Sequence, residues 1–203
     1  QLGVSRGTYV EFGFPPFLPG IAWSSNTDAL RKKGWSGLRL DGKNNDTNQQ
    51  CHAEWIDSAN IVGLFRKYGV LPIVDYVSID IDSADLWVLK AILRSEYRPK
   101  VITIEYNSNF PWGVAMAYPD PAQAAHVPAV PLSWDGGCFM GSSASAIVAA
   151  AHELGYVTID VEPGLDLILV QASLWGSRPV PKLNNAMIYR PFALGKKHAG
   201  MSE

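Results

Sequence analysis

Short β-rich runs alternate with amphipathic stretches along most of the chain. Each run is dominated by β-branched, aliphatic or aromatic residues, and most of them end at Gly, Asp or Asn, a pattern that predicts strands. Residues 101–106 are nearly all apolar or β-branched, as expected of a central parallel strand. The predicted strands are 8–13, 38–40, 76–81, 101–106, 156–161 and 165–170, and the last two form a hairpin.

The stretches between these runs carry the spacing and end signals of helices. In one of them, Leu86, Leu89 and Leu93 recur at the spacing of a single helix face. Strand–helix alternation of this kind predicts an α/β fold with a mainly parallel sheet and helices on both faces. Ligands of such sheets bind at the carboxyl ends of the strands, so the residues that follow each strand are candidates for chemistry. The predicted helices span 26–33, 58–68, 85–93 and 143–153.

Two long segments fall outside the alternation. Residues 110–138 are proline-rich and too long for a plain connection, which predicts a functional loop or a lid. After Trp175 the chain turns polar, and 179–203 is predicted as a tail that packs on something or frays. The expected organisation is one domain in residues 1–178 followed by the tail.

Composition and charge exclude several classes of protein. Apolar residues make up 47% of the 203 residues and charged residues 18%, which excludes a mostly disordered chain. Seventeen basic and 19 acidic residues give a net charge of -2, so a broad nucleic-acid-binding face is not expected. No run of about 20 apolar residues is present in the sequence, so we expect no membrane span.

The first residue and the cysteines bear on processing and redox chemistry. The chain begins with Gln1, so we expect a processed chain or a fragment without its targeting segment, and the compartment is not predicted. Cys51 and Cys138 are too few for a disulfide framework. Two separate buried thiols are favoured over a single bridge between them.

The ends of the first two predicted strands carry candidate cofactor-binding residues. Glu11 and Gly13 close the first strand, and a glycine there allows the backbone to approach a cofactor closely, although it also suits a plain turn. Asp41 ends the second strand, where a carboxylate can accept hydrogen bonds from ribose hydroxyls. The alternative for Asp41 is a simple Asp-Gly turn.

Three carboxylates at the ends of the next two strands are the candidate catalytic residues. Asp80 and Asp82 are two apart on a predicted strand, so both are expected on one side of it. Paired carboxylates raise one pKa, which suits a general base or a hard-metal site. Asp82 has an alternative interpretation as a helix cap. Glu105 ends an apolar strand, so we expect it to be paired or to touch a ligand.

Other polar motifs are weaker. Gly141-Ser142-Ser143 precedes a predicted helix, where it could hold an anion but more often caps the helix. The four histidines and two cysteines show no metal-ligating spacing, so no metal centre of that kind is predicted.

Taken in order, these motifs resemble a known family. Their sequence resembles the FkbM-type methyltransferases, which are class I enzymes dependent on S-adenosylmethionine. The resemblance covers roughly residues 8–175. The motifs are Tyr9-Val-Glu-Phe-Gly13, Ser25-Asn-Thr27, Gly34-Trp-Ser-Gly37, Asp41-Gly42, Asp75-Tyr-Val-Ser-Ile-Asp-Ile-Asp82, Arg98-Pro99, Ile104-Glu-Tyr-Asn107 and Gly141-Ser142-Ser143.

The resemblance implies a fold, a cofactor and a set of roles. It implies a seven-stranded Rossmann-like class I methyltransferase sheet, mainly parallel, whose antiparallel last strand comes from the C-terminal hairpin. It implies that Glu11 and Gly13 flank the methionine part of S-adenosylmethionine, that Asp41 binds its ribose, and that a residue after strand three contacts adenine. It places Asp80, Asp82 and Glu105 in a methyl-transfer pocket, where a small molecule or sugar would be O-methylated.

One departure from the family pattern keeps a second function open. The family usually places another glycine two to four residues after Gly13, where this chain has Pro15, Pro16 and Phe17. Proline offers no N–H to a cofactor carboxylate. The alternative is a catalytically degenerate methyltransferase fold that serves as a structural or assembly subunit of a larger complex. A third interpretation is a carboxylate metal site. The expected partner is therefore a small-molecule acceptor or the proteins of an assembly.

Overall fold

A seven-stranded sheet forms the centre of the molecule. The computed structural model describes residues 6–13, 25–123 and 140–190. The strand order is β3-β2-β1-β4-β5-β7-β6, in which β1 to β5 are mutually parallel and β7 is antiparallel to both neighbours. The strands are β1 Thr8–Phe12, β2 Ser36–Asp41, β3 Cys51–Ala53, β4 Tyr76–Ile79, β5 Val101–Glu105, β6 Tyr156–Val161 and β7 Asp166–Gln171. The predicted α/β class, with a mainly parallel sheet and a closing antiparallel hairpin, is confirmed.

The helices cover the sheet because alternate strand residues are apolar on one face. In β1, Val10 and Phe12 join the main core, and the Phe12 ring lies 5.9 Å from that of Phe65 in helix α2. Tyr9 and Glu11 alternate with them and therefore face the other side of the sheet, towards α1. The helices are α1 Asp28–Lys32, α2 Ile61–Lys67, α3 Asp85–Arg94, α4 Ala144–Glu153, α5 Ala172–Trp175 and α6 Asn185–Ile188.

The chain adds strands first on one side of β1 and then on the other side, so the strand order switches between β1 and β4. From β1 it first builds outward through β2 and β3, and it then returns to place β4 on the other side of β1. Crevices at such a switch point, outside the carboxyl ends of the strands, are where doubly wound sheets bind ligands. The carboxyl ends of β1 and β4 therefore mark the place to examine for function.

Several predicted boundaries are wrong, each for a local reason. Strand β4 ends at Ile79 rather than at residue 81, because the chain turns away at Asp80 and adopts a left-handed conformation at Asp82. Strand β3 was not predicted, since it has three residues and pairs only with β2 at the edge of the sheet. Helix α1 begins at Asp28 rather than at residue 26, because Thr27 occupies its N-cap position.

The described parts of the two long segments are anchored to the body. Within 110–123 the Met116 carbonyl accepts a hydrogen bond from the Ser143 N–H at 2.8 Å, and no helix or strand forms in this stretch. The rest of the predicted lid, with Cys138 and His126, lies outside the described residues. In the tail, Ile188 is fully buried in the core that contains the sheet.

Two further observations concern the membrane and the thiols. Within 6–13, 25–123 and 140–190, none of the helices combines the length and the apolar character needed to cross a bilayer.

Cys51 is a free buried thiol that donates a hydrogen bond to the Asn44 carbonyl at 3.3 Å. Burial raises the pKa of this thiol to about 11, so it is protonated at neutral pH.

Candidate functional site

The carboxyl ends of β1 and β4 lie in direct backbone contact. Gly13 has φ +72°, and a Cβ built on it would lie only 1.7 Å from the carbonyl oxygen of Asp80. Its N–H also donates to the Leu40 carbonyl at 3.1 Å. Gly13 is therefore required because it allows three neighbouring strands to close together at the switch point.

The Glu11 carboxylate lies at the centre of a buried hydrogen-bond network within the molecule. Its side chain is 3% exposed and accepts hydrogen bonds from four donors of the chain itself. Those donors are Ser25 Oγ at 2.6 Å, Asn26 N at 2.8 Å, Thr27 Oγ1 and Arg39 Nε at 3.1 Å. The resemblance implies that Glu11 flanks the cofactor, and this stays a prediction; in the structure its carboxylate fixes the segment that leads into α1.

Arg39 completes this buried network, and the sequence-based prediction missed it. Its side chain is fully buried and pairs with Glu11 at 3.1 Å and with Asp28 at 2.8 Å. It also donates to the hydroxyl oxygens of Ser25 and Thr27 at 3.0 and 2.9 Å. The available signal was an arginine between two leucines in a predicted strand, which requires a buried acidic partner.

Asp41 closes a turn and still presents one oxygen. Its Oδ1 accepts hydrogen bonds from the N–H groups of Lys43 and Asn44 at 2.8 and 2.6 Å, so the Asp-Gly turn is confirmed. No described residue donates to its Oδ2, and the side chain is half-buried. Trp55 lies beside this turn, so close to Gly42 that an added Cβ would lie 3.1 Å from its ring. Ribose binding by Asp41 stays a prediction.

Asp80, Asp82 and Glu105 come together at the ends of β4 and β5. One carboxylate oxygen of each lies within 4.8 Å of the others, which is close enough for all three to contact one divalent cation or one acceptor hydroxyl. Asp82 is exposed and has φ +69°. The expectation that Asp82 caps the next helix is wrong, because Ala84 occupies the N-cap position of α3 and no side chain caps that helix.

Two further carboxylates lie next to these three. Asp85 is 2% exposed, and its Oδ1 accepts a hydrogen bond from the Ile81 N–H at 2.8 Å. Asp166 is 5% exposed and lies directly opposite Glu105 in the β5–β7 pairing. We call these five side chains the carboxylate cluster: Asp80, Asp82, Asp85, Glu105 and Asp166. Among the described residues, no lysine or arginine forms an ion pair with any of them.

Burial and mutual repulsion shift the acidity of the carboxylate cluster. Burial, reinforced by the Asp82 charge, raises the pKa of Asp80 to about 6. Burial raises the pKa of Asp85 and of Asp166 to about 7, and the Asp80 charge adds to the shift of Asp166. The pKa of Glu105 is well above its usual range, because Glu105 is buried among Asp80 and its neighbours. Asp85, Glu105 and Asp166 therefore retain protons near neutral pH.

Asp166→Asn is expected to stabilise the protein at pH 8 by about 1–3 kcal/mol. The folded pKa of about 7 exceeds the unfolded value of 3.8, so the folded state binds the extra proton between these values and stability falls as pH rises from about 4 to 7. The gain should therefore shrink towards zero near pH 4. Urea unfolding at several pH values measures it, with exposed Asp160→Asn as the control. An equal gain at every pH would contradict the assignment.

The Gly141–Ser143 motif acts as a helix cap. The Ser143 hydroxyl accepts hydrogen bonds from the N–H groups of Ala146 at 3.2 Å and Met116 at 3.0 Å. The capping interpretation is confirmed, and it ties the loop after β5 to the start of α4. Gly141 lies against the backbone of Asp82, where an added Cβ would be 3.6 Å from the Asp82 carbonyl oxygen.

The predicted site residues thus divide into two groups. Gly13, Asp80, Asp82 and Glu105 surround the switch point, and Asp41 lies on the strand beside it, at the same edge. Glu11 instead turns into the body of the molecule. Pro15, Pro16 and Phe17 of the altered glycine loop lie outside the described residues.

Comparison with known proteins adds no family name to this geometry. A scan against protein-family models finds no match to the chain, and a search of curated proteins finds no significant match either.

Proposed function

We propose that this chain is a class I methyltransferase that uses S-adenosylmethionine to methylate a hydroxyl group of a small molecule or sugar. The observation that carries the proposal is the convergence of Gly13, Asp41 and the carboxylate cluster at one edge of the sheet, around its switch point. Ligands of doubly wound sheets bind at such a point.

The topology supports this assignment. The order β3-β2-β1-β4-β5 follows that of dinucleotide-binding sheets over five strands, and an antiparallel pair completes it. The resemblance to FkbM-type methyltransferases implies the same combination of a parallel sheet and a closing hairpin. It also implies a ribose contact for Asp41 and a place for Asp80, Asp82 and Glu105 in the methyl-transfer pocket.

Residues at the ends of β1 to β3 fit the cofactor. Asp41 Oδ2 has no donor among the described residues and can accept a hydrogen bond from a ribose hydroxyl. Trp55 follows β3, is 44% exposed and offers an aromatic face to a purine base. Glu11 does not fit a direct contact, because its donors already surround it; it holds the segment before α1 in place.

The carboxylate cluster fits the chemistry of methyl transfer. The cofactor, when bound, supplies a methyl group on a positively charged sulfur, which nearby carboxylates stabilise. Asp80, with a pKa of about 6, is largely ionised at pH 7–8 and can take the proton of an acceptor hydroxyl. Glu105 keeps its proton and hydrogen-bonds to Asp80, which helps hold Asp80 in its charged form. Asp82 is exposed and can orient the acceptor.

One observation favours the alternative of a structural or assembly subunit. Leu71 and Ile73 are 55% and 59% exposed in the segment that leads into β4, at the amino end of the sheet. Exposed apolar side chains this close together suit a protein interface at the end opposite the candidate site. This function would not require the cofactor.

Transfer of labelled methyl from S-adenosylmethionine to hydroxylated acceptors tests the proposal. We expect Asp80→Asn to lower kcat by about 10²–10⁴ while KM for the cofactor changes little, since it removes the general base. Exposed Asp160→Asn, on β6, is the matched control and should retain full activity. Mg²⁺ and a chelator are tested in parallel, because the three close carboxylates are spaced for a divalent cation. Unchanged activity in Asp80→Asn would rule out its role as base.

A further inference from the structure

A second concave site lies against the edge strand β6, which is three strands away from β4 in the sheet. It encloses about 510 Å³ between α4, β6 and the segment 180–183 that precedes α6. This volume falls within the roughly 300–1,000 Å³ typical of small-molecule pockets. We call this site the α4–β6 groove.

The lining of the α4–β6 groove is apolar in its body and polar at defined points. Its apolar lining residues are Trp112, Val148, Tyr156, Val157, Val180, Pro181 and Leu183. Thr158 also lines it and is 5% exposed; among the residues that the structure describes, its buried Oγ1 has no hydrogen-bond partner.

The charged residue of the lining is a lysine. Lys182 is exposed and lines the groove near His152, and none of its ten described lining residues is acidic. A carboxylate or sulfonate at this end would meet a cation and have no acidic neighbour in the lining. The ligand expected is therefore apolar in its body and anionic at one end.

The chain that follows segment 180–183 is fixed to the body of the molecule. The Trp112 N–H donates to Asn185 Oδ1 at 2.6 Å, and the Tyr106 hydroxyl donates to the Ile188 carbonyl at 3.1 Å. Before the segment, Trp175 Nε1 donates to the Arg178 carbonyl at 3.1 Å in a local turn. The segment is thus anchored on its C-terminal side.

We propose that the α4–β6 groove binds a small amphiphile with an anionic head group, such as a short-chain fatty acid or an aryl acid. Ten lining residues are few for a second copy of the chain, because a stable protein interface takes about 20–30 residues a side. The site is separate from the carboxylate cluster, so the proposal does not depend on methyl transfer.

Calorimetric titration of the full chain with octanoate, octanol and octylamine tests the proposal. We expect octanoate to bind about tenfold more tightly than octylamine, with octanol between them. Lys182→Glu should reverse this order, and since Lys182 is exposed the variant should fold. Val148→Trp should abolish binding by filling the groove, whereas Val114→Trp, at an exposed position outside it, should not.

Three outcomes would overturn the proposal. The first is no heat from the folded chain with any of the three probes. The second is an affinity for octanoate that Lys182→Glu leaves unchanged. The third is concentration-dependent dimerisation in light scattering that Val148→Trp abolishes, which would make the groove an interface between copies of the chain.

Discussion

Gly13→Ala is expected to destabilise the protein by at least about 3 kcal/mol, more than the same change at any other glycine that the structure describes. The added Cβ would lie 1.7 Å from the Asp80 carbonyl oxygen, so β1 and β4 would have to separate. The φ of +72° adds strain of its own, because L-residues rarely adopt it. Urea unfolding followed by circular dichroism measures the loss.

A second glycine isolates the effect of the contact. Gly34 has φ +82°, and apart from its two chain neighbours no described residue has an atom within 4 Å of a Cβ built on it. Gly34→Ala should therefore cost only about 1–2 kcal/mol, the conformational part alone. Equal losses at the two positions would show that the backbone contact between Gly13 and Asp80 is not as close as described.

Arg39→Met is expected to destabilise the protein by about 3 kcal/mol. The substitution leaves the Glu11 carboxylate buried without its cation, although three uncharged donors remain. Adding Glu11→Gln should recover part of the loss, since the double variant no longer buries an unpaired charge. Unfolding midpoints of the two variants provide the comparison.

The exposed pair Arg66–Glu96 provides the matched control. Its side chains are 64% and 45% exposed, and the pair is as short as 2.9 Å. Arg66→Met should have no resolvable effect on stability, because solvent already satisfies both charges. A loss in Arg39→Met no greater than in Arg66→Met would contradict the structural role assigned to the Glu11–Arg39 pair.

The fold was largely predictable from the sequence because its central strands are continuous apolar runs. Residues 101–106 and 76–81 were placed nearly correctly, since burial on both faces demands such runs. Strand β3 was missed because three residues at an edge need no such pattern. The end of β4 could not be predicted either. Asp80 and Ile81 continue the alternation of polar and apolar residues, although the backbone already turns there.

The candidate site was predictable in its residues but not in its contacts. Asp80, Asp82 and Glu105 follow strands whose carboxyl ends share an edge, so their convergence follows from topology. Asp85 and Asp166 were missed because each is the first residue of its helix or strand rather than a residue after a strand. Only tertiary packing brings them next to the other carboxylates. The buried hydrogen bonds of Glu11 could not be predicted, because one of its partners, Arg39, lies on the neighbouring strand β2.

Calorimetric titration of the purified chain with S-adenosylhomocysteine tests the central proposal most directly. We predict micromolar binding that Asp41→Ala weakens by at least about tenfold, while Asp160→Ala, at an exposed position on β6, leaves it unchanged. That result would support cofactor binding at the edge formed by Gly13, Asp41 and the carboxylate cluster. No heat at high ligand concentration from a chain that circular dichroism shows to be folded would contradict the methyltransferase proposal and favour the structural subunit.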